Sequence, residues 1–246
     1  MVRSRLDRIL VEKGLAATRS RAQDLIARGC VRIGGVVITR PGQEISADAE
    51  IAVEAGADDY VSRGALKLIA ALDHFGFDAH GRIALDIGAS TGGFTQVLLG
   101  RGARKVYAVD VGRGQLHATV AGDARVVSLE ATDSRALGPD VISEQVNTVV
   151  ADVSFISLTK ALPTPLALTA AGAWLVALVK PQFEAGRAAI GKGGIVRDPA
   201  DRQRAVEELR AWMTSQPGWT VAGVIESPIR GGSGNQEFLM GAVKND

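Results

Sequence analysis

Cysteine is almost missing: Cys30 stands alone in 246 residues. That excludes an internal disulfide framework and a cysteine-built zinc site, and it fits a reducing cytoplasm. The three histidines, His74, His80 and His117, are scattered at no metal-ligand spacing, so no metal is expected. Long apolar runs are missing too. The longest, residues 171–179 (AGAWLVALV), falls far short of the roughly 20 residues that span a bilayer and is read as a buried strand with its approach. The opening MVRSRLDRILVEKG puts charge into every turn and has no signal-peptide character, so the expectation is a cytoplasmic protein without a membrane partner. Charge of one sign is not in excess: 28 basic residues face 27 acidic ones. This excludes a globally basic nucleic-acid coat and a charged disordered chain. The length suits one large domain, or a medium domain with a small one.

What charge there is lies unevenly. Residues 1–45 carry nine Lys/Arg against four Asp/Glu, whereas residues 46–60 (SADAEIAVEAGADDY) carry five acids and no base. The shift predicts a boundary, with a domain over 1–58, another over 59–246 and a linker near 56–62. In the basic part, Leu6, Ile9 and Leu10 follow i, i+3, i+4 spacing and end at Gly14, which predicts a short amphipathic helix. Thr18 is placed to cap a second helix that stops at Gly29. VRI, Gly34-Gly35 and VVI then read as two strands and a tight turn. Cys30, between helix and hairpin, reads as a small buried apolar residue. Arg19, Arg21, Arg28 and Arg32 crowd one end of this unit, either as a solvated basic face or as a binding surface. In its helix–helix–hairpin order, residues 3–50 resemble the small RNA-binding domain first named from the fourth protein of the ribosomal small subunit. That resemblance implies arginines presented to structured RNA, here Arg3, Arg5, Arg19, Arg21, Arg28, Arg32 and Arg63, with phosphate pairing supplying affinity and register.

From residue 83 the pattern changes. IALDIG, KVYAVDVG, ARVVSL, VNTVVADVSF and AWLVALVKP read as five parallel strands separated by segments long enough for crossover helices. GWTVAGVIES and QEFLMGAVK add two more, joined by a short loop, so the last should run antiparallel. The expected fold is therefore α/β, with a Rossmann-like seven-stranded sheet and a small N-terminal α+β domain. In such a sheet the ligand sits at the carboxyl ends of the strands.

The turn after the first strand, LDIGASTGGFTQ (85–96), departs from the dinucleotide pattern. Ser90 stands where a second glycine would let backbone approach a pyrophosphate. Asp86 precedes the turn, where a carboxylate repels an anion but holds an ammonium. Asp110, about twenty residues on, can accept both ribose hydroxyls. A sulfonium nucleoside with an α-amino group fits both facts, which favours S-adenosylmethionine over NAD. The candidate binding set is Asp86, Gly88, Ala89, Ser90, Thr91, Gly92, Gly93, Phe94, Asp110, Val111, Asp133 and Asp152. Two roles stay open: Gly92 and Gly93 also suit close helix–strand packing, and Asp133 either reaches the adenine amino group or caps the next helix.

Four charged residues fall at the same rim. Asp152 and Lys180 close two parallel strands, Glu237 opens the antiparallel one, and Lys67 lies in SRGALKLIAAL, a helix leading into the sheet. Methyl transfer to a ribose hydroxyl needs a weak nucleophile activated, and a desolvated lysine beside another cation is suited to that. With YVSRGALKL, LDIGASTGGFT, AVDVG, LEATDSR, ADVSFISL, LVKPQFE, GGIVRD and GNQEFL, the chain resembles the TlyA (haemolysin A) family of ribosomal RNA 2′-O-methyltransferases, whose larger domain is FtsJ-like. The resemblance implies a Lys-Asp-Lys-Glu tetrad on Lys67, Asp152, Lys180 and Glu237, with Lys180 as proton acceptor and cytidines of ribosomal RNA, free or in subunits, as substrates. The alternatives are a membrane-permeabilising haemolysin, as the older family name suggests, and a non-catalytic ribosome assembly factor. Residues 186–199 (GRAAIGKGGIVRDP) read as a mobile flap with Arg187 and Lys192 on phosphates, or as a plain solvent loop. Phe155 and Phe183 are either core or a stack for a flipped base.

Overall fold

In the computed structural model, residues 3–16, 18–27, 29–53, 60–231 and 234–245 are described. The expectations on Arg28, on the side chain of Arg21 and on most of the linker at 56–62 lie outside the described residues. The chain divides into two compact units, Met1–Arg63 and Gly64–Asp246.

In the first unit β1 (Arg3–Arg5) leads into α1 (Leu6–Glu12) and α2 (Arg19–Ala27), followed by β2 (Val31–Ile33), β3 (Val36–Ile38), β4 (Glu44–Ser46) and β5 (Ile51–Val53). The spacing of Leu6, Ile9 and Leu10 turns one stripe of α1 onto Ala22, Leu25 and Ile26 of α2, and Cys30, Val31 and Ile45 complete this core. Gly34 (φ +55°) and Gly35 (φ +81°) both take the left-handed conformation that a two-residue hairpin turn demands between β2 and β3. Two pairings were not legible as hydrophobic patterns. β1 pairs antiparallel with β4, β5 pairs antiparallel with β2, and each of these strands is only three residues long.

The second unit runs α3 (Gly64–Phe75), β6 (Ile83–Ile87), α4 (Gly93–Gly100), β7 (Lys105–Val109), α5 (Ala118–Ala121), β8 (Val126–Leu129), β9 (Val146–Ala151), α6 (Leu158–Ala161), α7 (Pro163–Ala167), β10 (Thr169–Val179), α8 (Pro181–Glu184), α9 (Pro199–Thr214), β11 (Trp219–Glu226) and β12 (Phe238–Lys244). Seven strands form one sheet in the order β11-β12-β10-β9-β6-β7-β8. β10, β9, β6, β7 and β8 are mutually parallel, and β12 lies antiparallel between β10 and β11. All five residues of β6 are buried, as expected for a strand covered on both faces.

The sheet order decides where the polar residues land. Parallel strands end at one rim, so the segments after Ile87, Val109, Leu129, Ala151 and Val179 share it. β12 runs the other way, and its first residue, Phe238, pairs with Val179. Glu237 therefore enters at the edge where Lys180 leaves.

Candidate functional site

Each of the four rim charges is held by another. Lys180 Nζ lies 2.6 Å from Asp152 Oδ1. This contact is an ion pair by distance without the alignment of a hydrogen bond, since Oδ1 is buried and accepts none. Lys180 Nζ also donates to Ser154 Oγ at 2.8 Å. Lys67 Nζ donates to Glu237 Oε2 at 2.5 Å, with both side chains buried. Long side chains that meet across 170 residues of sequence cannot be held this way by local structure; α3 and the start of β12 bring them together. Taking both ions from water costs several kcal/mol each, which only good pairing offsets. The tetrad is thus two ion pairs, and Asp152 is the member that lines the adjoining cavity.

That cavity has a volume of about 1020 Å³. Its wall is built from the ends of β6, β7 and β9 and the segments after them, including Gly88, Ser90, Asp110, Val111, Asp133 and Asp152. The expected ligand residues Ala89, Thr91, Gly92, Gly93, Phe94 and Asp86 do not line it. Ala89, Phe94 and Asp86 are buried, and the reason for Gly92 is packing. At φ +94°, a Cβ there would stand 2.8 Å from Leu116 Cδ1 and 3.0 Å from Val120 Cγ1. Gly88 serves the cavity directly. A Cβ at this position (φ +84°) would lie 2.5 Å from the Asp152 carbonyl oxygen, so only glycine lets the ends of β6 and β9 close on each other.

The acids of the wall differ in what holds them. Asp110 accepts from Ser90 N–H at 2.8 Å through Oδ2 and from Gly112 N–H at 2.7 Å through Oδ1, which ties the glycine turn to the end of β7. Ser90 takes φ +47° to make this bond. Asp133 resolves as a cap: it accepts from Arg135 N–H at 2.9 Å over the 3₁₀ turn Ser134–Ala136. The Arg135 side chain pairs with it as well, and these bonds hold the Asp133 carboxyl down at about 2. Asp86 is fully buried. Its Oδ2 accepts from Thr95 Oγ1 at 2.7 Å, while Oδ1 has no partner among the described residues. Burial, with smaller contributions from the Asp152 and Asp110 charges and against the Thr95 bonds, pushes its carboxyl up to about 7. An orphaned carboxylate oxygen beside two other acids is a site where an ammonium would be favoured.

Three residues of the site escaped the sequence reading. Ser154 follows Asp152 by two, the spacing that repeats a side in extended chain, and it lines the cavity. Glu130 accepts the backbone N–H groups of Gly114, Gln115 and Leu116 at 2.8, 2.7 and 3.1 Å, and these bonds lower its carboxyl. It thereby shapes the loop that brings Gln115 to the cavity. Its position three before Asp133 in LEATDSR carried no pattern that would reveal this. Asn235, buried, accepts from Val196 N–H at 3.0 Å and donates to Gly194 O at 2.9 Å. Segment 186–199 is therefore anchored at its far end. Its near end, at Gly186, Arg187 and Ile190, walls the cavity, and Lys192 is exposed. Phe155 is not core. It is 91% exposed at φ +65°, lines the cavity, and its ring lies 5.2 Å from that of Phe183.

In the first unit the structure gathers Arg5 and Arg19 around one acid. Asp7, fully buried, receives Arg5 Nε at 3.1 Å and Nη2 at 3.0 Å, Arg19 Nε at 3.1 Å and Gln23 Nε2 at 2.8 Å. These bonds, that of Arg5 foremost, hold the Asp7 carboxyl well below the usual range. Arg3 is exposed on β1, Arg32 donates to Gly35 O at 3.3 Å, and the Arg63 guanidinium lies near Gly29.

Comparison with known proteins agrees with both units. The FtsJ-like methyltransferase family matches residues 60–244, and the S4 domain matches residues 4–51. The chain is 46% identical over 239 residues to the 16S/23S rRNA (cytidine-2′-O)-methyltransferase TlyA of Mycobacterium tuberculosis, covering 97% of this chain and 89% of that one. It is 40% identical over 236 residues to Hemolysin A of Brachyspira hyodysenteriae, covering 96% and 98%. A solved structure from Streptococcus thermophilus that carries the hemolysin name superposes with a TM-score of 0.76 at 41% identity, covering 100% of this chain and 90% of that one. With an S4 domain ahead of a Rossmann-like methyltransferase sheet, the chain belongs to the FtsJ-like methyltransferases, in the TlyA family of ribosomal RNA methyltransferases.

Proposed function

We propose that the chain transfers a methyl group from S-adenosylmethionine to the 2′-hydroxyl of a cytidine in ribosomal RNA, working in the cytoplasm on RNA or ribosomal subunits. The observation that carries this reading is the Lys180–Asp152 pair, set at the strand ends where the cavity begins.

The cavity suits the donor. Asp110 at the end of β7 suits ribose hydroxyls and Val111 the adenine side, and behind the wall the unpartnered, buried Asp86 oxygen favours an ammonium. When bound, the donor supplies a methyl group on a positively charged sulfur. The chain supplies the rest. Lys180, mostly buried, accepts the proton of the ribose hydroxyl at Nζ, and Asp152 keeps that amine in place. Lys67 and Glu237, paired and buried, brace the same rim. The exposed Phe155 ring offers a face to a base turned out of its helix, which frees the ribose beneath it. Arg5 and Arg19, aligned on Asp7, hold RNA phosphates, and residues 1–58 serve as the RNA-binding part and 59–246 as the catalytic part.

The test is to incubate the protein with ribosomal subunits and labelled donor, then map ribose methylation by mass spectrometry of the digested RNA. The expected result is methyl on a cytidine 2′-oxygen. In Lys180→Ala that signal falls by at least about 100-fold, while RNA binding stays near normal. Methylation that is unchanged in Lys180→Ala ends the assignment of the base, and release of a liposome dye by the pure protein would favour the haemolysin reading instead.

A further inference from the structure

We propose that Ser154 is a positioning residue of the methyl-transfer site, whose hydroxyl aims the Lys180 amine at the substrate oxygen. The inference rests on the methyltransferase reading above and names a residue that the four-charge arrangement leaves out.

The geometry is that of a nitrogen with two anchors. Lys180 Nζ lies 2.6 Å from Asp152 Oδ1 and 2.8 Å from Ser154 Oγ. A lysine nitrogen is tetrahedral, with one direction taken by its own carbon and three left. Ser154 accepts along one of them, while Asp152 Oδ1 holds the nitrogen by charge without accepting a hydrogen bond. In the charged form every direction carries an N–H; in the neutral form one carries the lone pair that must take a proton. With the Ser154 bond in place, rotation about the Cε–Nζ bond is fixed and the lone pair has a set direction. With Asp152 alone, the amine turns freely about its Cε–Nζ bond, and the lone pair spends most of its time facing elsewhere.

A hydroxyl suits this task better than a second carboxylate. It accepts an N–H from the amine in either protonation state and adds no charge that would favour the ammonium strongly. Ser154 also stands where the task needs it. Lys180 is 9% exposed, whereas Ser154 is exposed and lines the cavity together with Asp152 and Phe155. The anchor thus lies between the buried amine and the space in which substrate would sit. In the step itself the ribose O–H bond breaks and its proton joins the Nζ lone pair, giving the ammonium. The oxygen's electrons form the new bond to the methyl carbon, and the electrons of the carbon–sulfur bond stay on sulfur.

The experiment compares wild type, Ser154→Ala and Ser154→Thr in single-turnover methylation of ribosomal subunits from pH 6 to 10, with donor binding and thermal unfolding measured alongside. Ser154→Ala is expected to lower the plateau rate roughly 10- to 100-fold, as misorientation of a reacting group does. RNA KM and donor Kd should stay within about twofold, because the change acts through the direction of the buried amine. Ser154→Thr keeps the hydroxyl and should restore most of the rate. A Ser154→Ala enzyme with the wild-type plateau rate overturns the proposal. So does a Ser154→Thr enzyme as slow as Ser154→Ala when both melt like wild type. Wild-type protein that leaves ribose unmethylated would instead overturn the underlying methyltransferase reading.

Discussion

At the scale of the residue, Asp86 shows how burial sets chemistry. Its ordinary value of 3.8 rises to about 7 in the fold. A group with a raised acid value holds its proton in the folded chain at pH values where the unfolded chain has lost it. The sign follows: its contribution to stability is most favourable below about pH 4, declines as pH rises, and levels off above about pH 7. Asp86→Asn has no proton to lose. The melting temperature of wild type relative to this variant should therefore decline between pH 4 and 7 in the absence of donor, read by calorimetry, and saturating S-adenosylmethionine should lessen the decline by giving the carboxylate an ammonium. A constant difference across that range would exclude a buried titrating Asp86. The sequence marked Asp86 as a ligand residue from its place before a glycine turn. It could not mark the Thr95 bond or the bare Oδ1, because both depend on how α4 settles over β6.

At the scale of the element, the meeting of β6 and β9 is controlled by one missing side chain. Gly88→Ala places a Cβ against the carbonyl of Asp152, which is backbone and has little room to yield. We expect a loss of about 1–3 kcal/mol in urea unfolding, the usual range for overpacking. Donor affinity by calorimetric titration should weaken as well, since the end of β9 also carries Asp152. An alanine variant that binds donor and unfolds like wild type would show that the two strand ends are not in tight contact. The strands themselves were legible because each is a continuous apolar run bounded by Gly, Asp or Pro. The three-residue strands β1, β4 and β5 were not, because three residues carry too little periodicity to separate strand from loop. The anchoring of segment 186–199 was hidden for a different reason: Asn235 is far away in sequence and joins it through side-chain bonds to backbone.

At the scale of the whole molecule, near-neutral net charge conceals a basic stretch over residues 1–45, and affinity for RNA should reside there. Arg5 and Arg19 are oriented by Asp7 and remain about half exposed at the side chain, so their outer N–H groups face solvent while their inner ones are fixed. In Arg5→Ala/Arg19→Ala, the slope of log affinity for ribosomal RNA against log salt should become shallower by roughly 1.4–1.8, the release of counterions from two phosphates. Binding that keeps its slope would remove these two residues from the interface. By itself the amino-acid order determined the existence of two units, the five parallel strands, the antiparallel last strand and the identity of the four rim charges. Apolar periodicity and short motifs are local properties, and they survive being read in one dimension. Only the tertiary structure decided that those charges form two separate pairs, that Ser154 shares Lys180 with Asp152, and that six of the eight expected glycine-turn residues leave the cavity wall to others. Each of these depends on strand order and register, which bring together side chains 26 to 170 positions apart, and no local pattern encodes which of many distant partners a charge will meet.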